Sequence, residues 1–284
     1  MKKYLMALFV MGAVWGGCLV GGSSVAHADI LITPTRVVFG ERDRFGVVTL
    51  ANNGDKVSTY KISWRFFKMQ EEGPAYKPLN QADMDYDVSK YIVFSPRQVT
   101  LQPGAVQKIR LALRRPADMP EGDYHVHLGI STVPNDDPDV VPTGNAKNGR
   151  PISRLGVEVN VGYTIPIIVR SGKVDVNSSI GRISLSRNQK NGFLKVAVPV
   201  HREGAPYSIL GHLMVYHIDE NGDETRVGEI SNAHIFPEVD RRVFDVHLIK
   251  DIVGGSLRIV MYDYTYSNVS GNNYIYTERT FPLE

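Results

Sequence analysis

Cysteine is almost missing from this sequence: Cys18 is the only one in 284 residues. It lies inside an N-terminal segment of the targeting type, so no disulfide framework can brace the remainder. Each domain must cohere through its apolar core alone. An excess of charge of either sign is missing as well. Setting aside Lys2 and Lys3, 30 basic residues remain against 30 acidic ones. Such a balance argues against nucleic acid or a polybasic membrane surface as the main partner. Long apolar runs are confined to Leu5–Trp15, which is too short and too broken by glycine to span a bilayer. There is no nucleophile motif, no HExxH and no glycine-rich phosphate loop. An enzyme is therefore the weakest reading, and no cofactor is implied.

What is present begins with that leader. Lys2 and Lys3 form its charged start, Leu5–Trp15 its apolar run, and Ala26-His27-Ala28 a small-residue cleavage site. Cleavage after Ala28 and export to the periplasm follow. A rival reading lipidates Cys18 after Gly16 and Gly17, but bulky Trp15 three positions upstream fits it poorly. The remaining chain, about 256 residues, is long enough for one or two domains.

Period-two alternation dominates that chain, and helical periodicity is not convincing anywhere between 29 and 170. Asp29–Phe39 reads as a first strand broken by Pro34, which suits an edge or a bend where a strand changes sheets. Arg36 follows at the parity of Ile30, Ile32 and Val38, a charge in an apolar row that asks for a partner. Val47–Ala51 and Tyr60–Phe67 flank the turn Asn52-Asn53-Gly54-Asp55. Tyr60, Ile62, Trp64 and Phe66 share one face, with Trp64 the expected central packing residue. Residues 70–89 are polar and acidic, and read as a loop. Short strands follow at Tyr91–Phe94 and Val99–Leu101, then alternation at 109–114 and 124–130. About seven strands separated by turn residues make an immunoglobulin-like sandwich. Residues 134–153, rich in Pro, Gly, Asn and Asp, form a loop long enough to be functional or disordered. Arg170-Ser171-Gly172 marks the boundary, giving domains 29–170 and 171–284. The second is also all-β, with Asp219–Asp223 closing a hairpin.

Between loop and boundary stands the longest pattern in the chain, LGVEVNVGYTIPIIV over 155–169. Leu155, Val157, Val159, Val161, Tyr163, Ile165, Ile167 and Val169 fall on one face, and mostly polar residues on the other. A strand usually runs about 5–6 residues. One sandwich cannot cover so long a row, and the surplus side chains read as knobs for another protein. Other candidates carry less. His125 and His127 are two apart on one strand face, but no third metal ligand is visible and an exposed strand row explains them. Asp136, Asp137 and Asp139 lack the ordered spacing of a calcium loop. Ser184 and Ser186 sit in an ordinary strand, and Tyr262, Tyr264 and Tyr266 read as packing. No metal site is implied.

Several short segments fall in a telling order. They are Thr35–Phe39, Leu50–Asn53, Phe94-Ser95-Pro96, Leu101–Gly104, Ile109–Leu111 and Met119-Pro120, then the variable loop and the alternating strand. As an ordered set they resemble the PapD-like periplasmic pilus-assembly chaperones, most closely over 29–170. The resemblance implies two immunoglobulin-like β-sandwich domains set at an angle. It implies that the 155–169 strand is lent to a pilus or fimbrial subunit lacking its own last strand, until an outer-membrane usher receives the subunit. Leu155, Val157, Val159, Val161, Tyr163 and Ile165 would then be the subunit contacts. Arg36 matches the family's cleft arginine, which holds the subunit's terminal carboxylate. The family's second cleft cation, a lysine, has no counterpart: Pro166 stands there, leaving Arg36 alone or another cation such as Lys173. Arg170 matches a residue that bridges the domains to an acid, here Asp123. An exported structural or adhesive protein is the competing function, and a dimer that caps its own row when idle is a third arrangement.

Overall fold

The protein is described by a computed structural model, in which residues 29–133, 162–187, 192–204, 206–263 and 274–283 are placed. The first eleven strands are β1 (Ile30–Thr33), β2 (Val37–Phe39), β3 (Phe45–Asn52), β4 (Ser58–Arg65), β5 (Phe67–Met69), β6 (Tyr76–Pro78), β7 (Ile92–Ser95), β8 (Gln98–Leu101), β9 (Val106–Leu113), β10 (Gly122–Val133) and β11 (Gly162–Ser171). Eight more follow: β12 (Val176–Ile180), β13 (Ser184–Arg187), β14 (Leu194–Gly204), β15 (Ile209–Ile218), β16 (Glu224–Ile235), β17 (Arg241–His247), β18 (Ser256–Asp263) and β19 (Tyr274–Pro282).

Strands β1-β3-β9-β7 make one sheet and β2-β11-β10-β4-β8 the other, facing across a core of Val48, Leu50, Ile109 and Leu111 against Ile62, Val126, Leu128 and Ile167. This is an immunoglobulin-like sandwich, and its alternation follows from burying one face of each strand. Pro34 sits at the bend between β1 and β2. Upstream the chain pairs with β3; downstream it crosses to the second sheet and runs parallel to β11. The bend also resets parity, so Val37 and Phe39 enter the core while Arg36 and Val38 turn away from it. The second sandwich stacks β12, β14, β13 and β17 on β16-β15-β18-β19. Val196, Val198, Val200, Leu213, Val215, Ile259 and Met261 fill its core. The turn at Asp219–Asp223 closes the β15–β16 hairpin, as its residues predict.

Two sequence readings change. The stretch 70–89 is not a plain loop: β5 and β6 pair as a hairpin, and two short 3-10 turns follow at Gln81–Asp83 and Val88–Tyr91. Three-residue strands are too short for period two to register. His125 and His127 are not an exposed row either; they are 8% and 1% exposed. The hairpin and the second sandwich cover that face of β10, so β10 is buried on both sides.

Candidate functional site

β11 positions the site. It pairs antiparallel with β10 along its whole length, from Gly122↔Ser171 to Ser131↔Gly162. On its other side β2 covers only Ile167, Ile168 and Val169. Residues 162–166 therefore present an open main-chain edge among the described residues. Gly162, Tyr163 and Thr164 are exposed there, Tyr163 at 38%. An uncovered edge of this kind is a template for another strand.

Of the predicted contacts, Leu155, Val157, Val159 and Val161 lie outside the described residues, as do the loop 134–153 and the leader 1–28. Tyr163 is on the open edge. Ile165 is a correction: it is 5% exposed and packs in the protein's own core with Ile167 and Val169. Facing the sandwich interior, it cannot also fill a partner's groove. The opposite face of β11 differs from the sequence reading too. Pro166 and Ile168 are buried, and Ile168 joins the second sandwich's core.

Pro166 lies directly opposite His127 in the β10–β11 ladder. Burial next to His125 and His234 pushes the His127 pKa down to about 3, and neither of its ring nitrogens has a hydrogen-bond partner. An ammonium at 166 would meet a desolvated neighbourhood.

Arg36 is half-buried, and its Nη1 is sequestered without a hydrogen-bond partner. Burial pushes its pKa down, opposed chiefly by the charge of Asp263 in the second sandwich. Its neighbour Thr35 accepts from Asn232 Nδ2 at 2.7 Å, which fixes the bend against β16. A guanidinium is a forked donor whose geometry matches a carboxylate. Lys173 is exposed.

Arg170 and Asp123 meet. Arg170 Nε and Nη2 donate to the two Asp123 oxygens at 2.8 Å each, and Asp123 Oδ2 accepts from Ser208 N at 2.9 Å. Asp123 is thus tied at once to β11 and to the second sandwich. Burial opposes the charge on Arg170, but the Asp123 carboxylate outweighs it and raises the pKa.

The sequence reading missed a second junction made by the β5–β6 hairpin. Met69 enters the second sandwich's core, its N–H donates to Glu238 Oε1 at 3.0 Å, and Phe236 N lies 3.3 Å from its sulfur. Glu71 O accepts from Val243 N at 3.0 Å, and Tyr76 hydrogen-bonds His234. His125 donates to Glu238 at 2.9 Å while its ring stacks on Phe236 at 3.9 Å. Burial opposes ionisation of Glu238, but His125 and the Met69 N–H outweigh it and keep the carboxyl below its usual range. The only sequence signal was aromatic content, Phe67 and Tyr76, inside a stretch otherwise polar.

No protein-family model and no curated protein matches the sequence. Among solved structures it is similar to the CupB2 chaperone of Pseudomonas aeruginosa, at 12% identity and a TM-score of 0.43, over 89% of this chain and 100% of that one. A Salmonella enterica structure of SafA pilin in complex with the SafB chaperone aligns at 13% identity and 0.43, over 92% and 99%. The CsuC–CsuE chaperone–tip adhesion subunit complex of Acinetobacter baumannii aligns at 13% and 0.42, over 88% and 98%.

Proposed function

We propose that this chain is a periplasmic chaperone that caps subunits of a surface fibre by strand addition and delivers them to an outer-membrane usher. The observation that carries the reading is the open edge of β11 over 162–166. A subunit lacking its last strand would pair with that edge through main-chain hydrogen bonds, while its groove takes alternate side chains that set register. Leu155, Val157, Val159, Val161 and Tyr163 are the proposed side chains. Each apolar group so seated is worth about 1.5–3 kcal/mol before ordering costs, enough together for a stable but exchangeable complex. Arg36 is the proposed carboxylate anchor. The ordered motifs from Thr35 to Pro120 support the same reading.

The test is a periplasmic pull-down with the double substitution Val159→Asp and Val161→Asp. Subunit capture should vanish while the monomer stays folded. Wild-type capture by that variant would overturn the reading and favour an exported structural protein whose long strand serves only itself.

A further inference from the structure

A cavity of about 300 Å³ opens between the two domains, bounded by the hairpin base, the 83–86 turn, the start of β10 and two loops of the second sandwich. None of its lining residues belongs to β11 or β2, so it is separate from the edge described above and from Arg36. Tyr86 and Tyr124 wall one side with ring centroids 4.4 Å apart, and Pro206 and Pro237 face them from the second domain. Apolar walls with a few converging polar groups at a domain junction are the usual makings of a small-ligand site.

Its charge is one-sided. Asp83, Asp85, Asp123 and Glu238 line the cavity, against Lys68 as the only lysine or arginine in the described lining. Asp123 is neutralised by Arg170 and Glu238 is met by His125. Asp83 accepts only from the neutral Asn80 side chain, and Asp85 makes no hydrogen bond or ion pair among the described residues. A second observation concerns His125, which also lines the cavity, is 8% exposed, and beside its bond to Glu238 keeps a buried Nδ1 without a partner. Aromatic faces and unneutralised carboxylates suit a donor-rich cation.

We propose that this cavity binds a small organic cation, a guanidinium or ammonium group carried on a flat apolar body, and that the ligand bridges the two domains. The ring stacks against Tyr86 and Tyr124 while the cationic head faces Asp83 and Asp85.

Titration calorimetry of the full-length mature protein with benzamidine tests this, with benzoate and benzyl alcohol as matched anionic and neutral controls. Benzamidine should saturate a single site, benzyl alcohol should bind more weakly and benzoate should not bind. The double substitution Asp83→Asn and Asp85→Asn, at exposed positions, should weaken benzamidine about fivefold, the upper range for exposed ion pairs. Tyr86→Leu should weaken it by a comparable factor through loss of the ring face. Non-saturating benzamidine, benzoate binding as tightly, or parental affinity in the double variant would each overturn the proposal.

Discussion

Two arginines close enough to feel each other's charge, Arg36 and Arg170, show how neighbourhood decides a side chain's work. Arg170 has a bidentate partner in Asp123, whose side chain is 1% exposed, so removing the acid strands a buried charge and the Ser208 N–H together. Asp123→Ala should cost about 3–5 kcal/mol, read as a lower urea midpoint. Arg36 has no partner for Nη1, so Arg36→Ala should leave the thermal midpoint near that of the parent. Subunit capture should nevertheless fall; unaltered capture would place the carboxylate anchor elsewhere.

At the scale of elements, the β5–β6 hairpin and the β11 edge perform opposite tasks. The hairpin seals: Met69 is 2% exposed and sits in the second sandwich's core. Met69→Ala should cost about 2–5 kcal/mol, the usual range for truncating a buried methionine. It should also split a joint unfolding transition into two, measured by parallel fluorescence and circular dichroism melts. The edge of β11 stays open: Tyr163→Asp, at a 38% exposed position, should leave folding intact and weaken subunit capture. Legibility in the sequence divided along the same line. The strands of both sandwiches announced themselves by alternation, because one buried face forces period two. The hairpin did not, because three residues per strand carry no period and its apolar contacts come from another domain. Arg170 and Asp123 were found only through the resemblance, since nothing in their spacing of 47 residues joins them.

For the molecule as a whole, acid should loosen the junction between sandwiches. His127 is buried there and His234 half-buried, with pKa values lowered to about 3 and about 4, first by desolvation and then by neighbouring cations or imidazoles. The groups facing them include His125, Arg36, Arg242, Tyr76 and Glu238, whose carboxyl is itself held low. Their folded pKa values lie below the unfolded value of about 6.5, so the unfolded chain takes up protons first as pH falls. Stability should therefore be full above pH 6.5 and decline toward pH 4, by about 1.4 kcal/mol per pH unit for each histidine. Urea midpoints between pH 7.5 and 4.5 measure the slope, and His127→Phe should flatten it.

By itself, the sequence determined that this is an all-β chain with a single cysteine, Cys18, built on two alternating cores, because alternation reports which face of a strand leaves water. It also marked Pro34 as an edge or a sheet-changing bend, since a missing N–H forfeits a ladder bond; the strand pairing selects the bend. Only the tertiary structure decided what covers the second face of β10, that Pro166 is buried against it, and that Ile165 points inward. Those outcomes depend on contacts between segments far apart in the chain, and a local pattern records that a side chain is apolar without recording which neighbour shelters it.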